Sequence, residues 1–145
     1  MTRYVAVVGP AEATADEVAT AEAVGAGLAR QGATVVTGGR GGVMAAACRG
    51  AVESGGTTVG ILPGASREEA NQWVTVAIPT GLGELRNGLV VRAADVVIAV
   101  GGAYGTLSEI ALALKTGTPV IGVGSWEIDG VRAVSSAEEA VAQAT

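Results

Sequence analysis

The chain has 145 residues, nine basic against fourteen acidic, a net charge of -5 and a pI near 4.6, which excludes the basic stripe that nucleic-acid binding needs to displace counterions. It holds no histidine and one cysteine, Cys48, so Ser-His-Asp and Cys-His catalysis, structural zinc and disulfides are ruled out, and no side-chain metal site is expected. The length suits one domain over residues 1–145; the longest apolar run, residues 93–100 broken by Asp95, is far short of a membrane span and no secretory signal is visible, so a cytoplasmic protein without a membrane partner is expected.

In chain order, residues 3–8 (RYVAVV) read as a buried first strand closed by Gly9-Pro10. Thr14 and Glu17 have capping-box spacing, opening a helix that runs to about Gln31 and stops at Gly32. Residues 33–37 (ATVVT) form a second strand that runs straight into Gly38-Gly39-Arg40-Gly41-Gly42, followed by a helix over 43–54. Residues 57–62 are a third strand, 65–72 a polar loop and 73–78 (WVTVAI) a fourth strand broken by Pro79-Thr80-Gly81. A helix is expected over about 84–93, a fifth strand over 95–100, a helix over 106–115 and a sixth strand over 119–123. The tail reads as a short extended piece at 131–134 and a helix from Ser136, again with a capping-box partner in Glu139.

Strands alternating with helices at this spacing imply right-handed crossovers, giving an α/β, Rossmann-like doubly wound sheet of mainly parallel strands flanked by helices. Ligands of such sheets collect beyond the carboxyl ends of the strands, where three glycine-bearing turns fall: Gly9-Pro10, residues 38–42 and residues 101–105. The third, Ala99-Val100-Gly101-Gly102-Ala103-Tyr104-Gly105-Thr106-Leu107-Ser108-Glu109, joins an apolar run to a helix start, so unpartnered amides there can hold a phosphate without a cationic side chain. Neither the dinucleotide fingerprint G-x-G-x-x-G after the first strand nor a Gly-Lys-Ser/Thr triplet is present.

Gly38-Gly39-Arg40-Gly41-Gly42-Val43-Met44 resembles the G-G-x-x-G-x-M turn of the superfamily that contains the Lonely Guy cytokinin-activating phosphoribohydrolases, often labelled lysine decarboxylases. Residues 101–109 resemble its second signature, P-G-G-x-G-T-x-x-E, and the spacing of Arg86 to Glu109 matches that of the family's catalytic Arg and Glu. The resemblance spans about residues 5–124. Three segments depart from it: Arg86-Asn87 stands for Arg-Lys, Gly101-Gly102-Ala103 for Pro-Gly-Gly, and Ser108-Glu109 for a Glu pair. These departures, with the runs 79–87 and 94–106, are closer to the branch of molybdenum cofactor carrier proteins. The resemblance implies a homo-oligomer, dimer or tetramer, that binds a phosphorylated pterin or nucleotide, with molybdenum cofactor or a nucleotide as ligand. The alternative it implies is a nucleoside 5'-monophosphate phosphoribohydrolase using Arg86 and Glu109.

Candidate ligand contacts are Gly9, Gly39, Gly41, Gly42, Met44, Arg86, Asn87, Gly101, Gly102, Ala103, Tyr104, Gly105 and Thr106. Arg86 lies among Leu85, Leu89, Val90 and Val91 on a helix expected to be buried, where a guanidinium needs a partner. That partner is either an internal carboxylate, Asp95 or Glu84, or a ligand phosphate or ribose; the spacing favours the ligand. Glu109 has a structural reading as well, since Thr106 and Glu109 have capping-box spacing. Tyr104 and Trp126 are flat groups able to stack on a heterocycle, with loop packing preferred for Trp126 and a core or interface place for Trp73. Gly25 and Gly27, costly inside a helix, imply close helix packing, within the chain or across a subunit boundary, and Cys48 reads as a small buried residue.

Overall fold

The computed structural model describes residues 1–145. Seven strands, β1 (Tyr4–Val8), β2 (Thr34–Thr37), β3 (Thr58–Leu62), β4 (Val76–Pro79), β5 (Val96–Val100), β6 (Val120–Val123) and β7 (Val131–Val134), form one sheet in the order β4-β3-β2-β1-β5-β6-β7. All six pairings are parallel, so the expected α/β doubly wound sheet is present and the extended piece at 131–134 joins it as a seventh strand. Five helices cover it: α1 (Ala15–Arg30), α2 (Val43–Glu53), α3 (Arg86–Arg92), α4 (Tyr104–Lys115) and α5 (Ala137–Ala144).

Side chains of a strand alternate between faces, and the central strands feed both faces with small apolar groups. Val5, Val7, Val35, Val96, Ile98 and Val100 pack under α1, α2 and α5. Ala6, Val8, Val36, Val97 and Ala99 pack under α3 and α4, against Val90, Val91, Ile110 and Ala113. The second face is only partly roofed. Val76 and Ile78 of β4 share the face of their partners Val59 and Ile61 and remain 45% exposed.

Local chemistry explains where elements start and stop. Thr14 caps α1 in a complete capping box with Glu17, and Gly32, at φ 79°, takes the left-handed conformation that ends it. Ser136 caps α5 by accepting from the Glu139 amide. Two expected elements are shorter. β4 starts at Val76 because Trp73 donates its amide to Asn71 Oδ1 and its carbonyl accepts from Thr58 Oγ1, holding 71–75 as a turn. The helix expected from residue 84 is a 3-10 turn, Gly83–Leu85, before α3 begins at Arg86. It is also less buried than expected: Val90 and Val91 are inside, while Leu85 is 78% and Leu89 42% exposed.

Cys48 is fully buried and burial pushes its thiol up, beside Thr37 Oγ1 at 3.5 Å. Gly25 and Gly27 mark close packing within the chain, not across a subunit boundary. A Cβ on Gly25 would strike the Ala47 carbonyl of α2, one on Gly50 of α2 would strike the Glu22 carbonyl of α1, and one on Gly27 would meet Val141 of α5. Replacing an exposed helical glycine by alanine gains about 1 kcal/mol; here backbone meets backbone, and Gly25→Ala should instead lose about 2 kcal/mol or more in denaturant unfolding. A stabilised variant would contradict this packing.

Candidate functional site

In the strand order, β1 sits between β2 and β5, so the chain leaves β1 toward one side of the sheet and reaches β5 on the other. The turns after β1 and β5 therefore diverge and open a crevice at their carboxyl ends, the switch point where ligands of such sheets bind. A cavity of about 250 Å³ lies there, lined by Val7, Val8, Gly9, Pro10, Ala11, Gly38, Met44, Arg86, Asn87, Ala103, Gly105, Thr106 and Glu109. Gly9 is required at its edge, since a Cβ would strike the Val100 carbonyl and lie 2.7 Å from the Val43 side chain.

α4 begins at Tyr104, two residues earlier than expected. Ala103 is the N-cap, extended at φ -135° and ψ 176°, and offers no side-chain cap. Thr106 is thereby carried into the first turn, and the expected Thr106–Glu109 capping box does not form. No hydrogen bond within the chain uses the amides of Gly102, Ala103, Tyr104, Gly105 or Thr106, which leaves a cluster of aligned donors at the positive end of the helix dipole. Gly101 makes the turn possible with φ 70° and lies against Glu17 of α1. Trp126 Nε1 donates to the Ala103 carbonyl at 3.1 Å, and its ring stacks on Tyr104 with centroids 6.5 Å apart. Trp126 thus props the turn by loop packing, while Tyr104 stands 85% exposed.

Arg86 enters from the start of α3. Its Nε donates to the Ile61 carbonyl at 2.9 Å, Nη2 to the Gly38 carbonyl at 3.4 Å, and Nη1 to Asn87 Oδ1. No carboxylate pairs with it: Asp95 instead accepts from the Tyr4 amide at 2.8 Å, and the two ion pairs of the chain are Arg40–Glu69 and Arg49–Glu53. Gly38 leaves room for the guanidinium, since a Cβ there would lie 2.6 Å from Nη2. Burial lowers the Arg86 pKa, opposed by the charge of Glu109, and an arginine stays protonated through such shifts. Asn87 Nδ2 donates to Ser108 Oγ at 3.2 Å, and Ser108 Oγ donates to the Gly105 carbonyl at 2.7 Å, tying α3 to the first turn of α4. Two of the departures from the resembling pattern, Asn87 and Ser108, are therefore bonded to each other: a neutral pair stands where the resemblance has Lys and Glu.

Glu109, one turn further along α4, is only 7% exposed and makes neither a hydrogen bond nor an ion pair within the chain. Burial pushes its pKa up to about 7, with the positive charge of Arg86 pulling the other way. Thr106 Oγ1 in the same wall is sealed from solvent and also without a partner.

Of the candidate contacts, the cavity brings together Gly9, Met44, Arg86, Asn87, Ala103, Gly105 and Thr106, and it adds Glu109, the catalytic candidate of the alternative reading. Gly39, Gly41 and Gly42 stand outside its lining: Gly39 packs on Leu62 and Gly60, Gly42 caps α2 against the Pro10 and Ala11 carbonyls, and Gly41 is exposed. On that side the wall is Gly38 and Met44. Gly101 and Gly102 shape the turn from behind, and Tyr104 faces an adjoining groove. Pro10 and Gly38 belong to two of the glycine-bearing turns expected at the ligand end of the sheet, although neither is among the candidate contacts; the signal of Val7, Val8 and Ala11 is position alone, at the carboxyl end of β1 beside the switch point.

The raised pKa has a stability consequence. The folded chain holds the Glu109 proton up to about pH 7, whereas an unfolded Glu releases it near ~4.3. The resulting stability is complete below the unfolded value and is lost as pH rises through about 7, by roughly 3 kcal/mol. Glu109→Gln should therefore be about 2 kcal/mol more stable than the parent at pH 8, with the gap closing below pH 5 in urea unfolding. Parallel pH profiles for the two proteins would contradict a buried, unpaired carboxyl.

Comparisons with known proteins agree with this fold. An uncharacterized protein of Archaeoglobus fulgidus is 39% identical over 138 residues, covering 94% of this chain and 91% of that one. The solved molybdenum cofactor binding protein of Rippkaea orientalis superposes with a TM-score of 0.94 and 37% identity, covering 99% of this chain and 95% of that chain. The molybdenum cofactor carrier protein of Chlamydomonas reinhardtii superposes with a TM-score of 0.91 and 35% identity, covering 99% and 96%. The SLOG cluster4 family matches residues 2–145, and the chain belongs to that family.

Proposed function

We propose that residues 1–145 act as one cytoplasmic carrier domain that binds a phosphorylated pterin or nucleotide, with molybdenum cofactor as the cargo that the similar carrier proteins favour. The observation that carries the reading is the uncapped start of α4, where Ala103, Gly105 and Thr106, all with free amides, line a cavity that also holds Arg86. Amides of Gly102, Ala103, Tyr104, Gly105 and Thr106 take the phosphate oxygens, and Arg86 adds the charge that a dianion needs. The Gly9-Pro10 turn, Gly38 and Met44 close the opposite wall. A groove lined by Pro63, Arg86, Asn87, Tyr104 and Gly105 shares three of these residues with the inner cavity and has room for a flat ring beside Tyr104. The orphaned Thr106 hydroxyl supports the fit, since a buried polar atom without a protein partner is satisfied by a bound one. No helix is long and apolar enough to cross a membrane, and no group of three His, Cys, Asp or Glu residues gathers as metal ligands, so such a cargo is held by its organic phosphate part.

One observation favours a second reading, phosphoribohydrolase activity: a buried carboxyl with a pKa near 7 beside an arginine suits general acid-base work. Water would then replace the base at the sugar, giving ribose 5-phosphate and free base. The neutral Asn87–Ser108 pair weighs toward holding rather than cutting. Incubating the pure protein with AMP and N6-substituted AMP separates the two; carriage predicts intact nucleotide, and free base by chromatography would contradict it. Mass spectrometry of gently purified protein should find a phosphorylated heterocycle on the parent, and Arg86→Ala should lower affinity for a pterin monophosphate about tenfold or more. Unchanged affinity would remove Arg86 from the site.

The exposed apolar face supports assembly through the helices flanking the sheet. Val76, Ile78, Leu85, Leu89, Tyr104 and Leu112 are all exposed on the β4, α3 and α4 side, apolar groups that a partner surface would take out of water. A second copy seated there gives a dimer or tetramer of the 14.1 kDa chain. Light scattering should show an oligomer for the parent and a monomer for Leu85→Glu with Leu89→Glu; a monomeric parent would contradict the assembly.

A further inference from the structure

We propose that Glu109 makes capture of an anionic ligand a proton-linked event, with the ligand held while the carboxyl is protonated and released when it ionises. The proposal rests on the phosphate site at the start of α4. Its ground is geometric: Glu109 and Thr106 both line the inner cavity, and neither finds a partner in the chain although both are buried.

The charges around Glu109 are few. β1 brings Val7 and Val8, its turn Gly9, Pro10 and Ala11, and the far wall Gly38 and Met44, none of which titrates. β5 (VVIAV) and β6 (VIGV) carry no ionisable group. Along α4 the other charge is Lys115 in the last turn, and on α3 Arg92 lies at the end away from the site. Arg86 is the one charge that acts on Glu109; Arg40 and Glu84 act on Arg86 instead. A single cation therefore faces both the carboxyl and the incoming anion, and it is already committed to the Ile61 and Gly38 carbonyls and to Asn87.

The sign follows. With the carboxyl protonated, an anion meets Arg86, the free amides and a neutral O–H donor. With it ionised, two anions share one arginine in a cavity of about 250 Å³, and like charges so placed cannot both be held without cost. Binding an anion raises the Glu109 pKa further, so binding takes up a proton and affinity falls as pH rises past about 7. A phosphate site without this carboxyl has the opposite trend, because a phosphate monoester loses its second proton near ~6 and binds amides and arginine better as the dianion.

Two measurements test this. Carboxyl-carbon NMR of the ligand-free protein should give Glu109 a titration midpoint near 7, assigned by its loss in Glu109→Gln; a midpoint in the ordinary carboxylate range overturns the proposal whatever binds. Calorimetry with AMP and with a pterin monophosphate, in two buffers of different ionisation enthalpy, should show proton uptake and a roughly tenfold loss of affinity from pH 6.5 to 8.5, the linkage of one pKa unit. Glu109→Gln should lose that dependence. Binding that is equally strong across this range in the parent overturns the proposal and leaves the phosphate site standing; binding of neither probe to either protein at any pH removes the site and the proposal together.

Discussion

The arrangement hangs on one electrostatic fact, an uncapped helix terminus aimed at a cleft. The first amides of a helix have no partner within it, and an N-cap side chain is the usual means of satisfying one. α1 and α5 have such caps in Thr14 and Ser136; α2, α3 and α4 start at Gly42, Leu85 and Ala103 without one. Of these uncapped starts, that of α4 directly follows β5, where the sheet reverses its winding. At that point the chain leaves amides free, and the parallel sheet brings Arg86 and the Gly9-Pro10 turn to face them.

What holds these groups in place is mostly backbone. Arg86 is fixed by carbonyls at the ends of β2 and β3, so the edge of the sheet sets its position and no acidic partner neutralises it. Trp126, beyond β6, fixes the Ala103 carbonyl, and the Asn87–Ser108–Gly105 chain of hydrogen bonds joins α3 to the turn. Two glycines stand where backbone meets backbone or a side chain must pass: Gly9 under the Val100 carbonyl, and Gly38 beneath the Arg86 fork. Such a site is ordered before its ligand arrives, which lowers the entropy cost of binding.

The architecture was legible because period and punctuation agree. Short Val-rich runs closed by Gly or Pro mark strands buried on both faces, and Thr14 with Glu17 marks a helix start that forms as read. The same spacing misled at Thr106 and Glu109. A capping box is a local pattern, and nothing local distinguishes it from a Thr and a Glu one turn apart inside a helix that has already begun. The extended Ala103, held by Trp126 from 23 residues away, decides the matter. Gly39, Gly41 and Gly42 are candidate contacts by sequence, yet of that glycine cluster only Gly38 reaches the cavity, because the chain turns beneath Leu62 at Gly39 and caps α2 at Gly42. Val7 and Val8 become visible as site residues only once the strand order is known.

The central claim is that the free amides at the start of α4 bind a phosphate, and nitrogen-15 NMR reads them one by one. Titrating labelled protein with a pterin monophosphate should move the amide signals of Gly102, Ala103, Tyr104, Gly105 and Thr106 more than any others, with the Arg86 side-chain signal moving alongside. Shifts confined to another surface, with those five amides unmoved, would contradict the account.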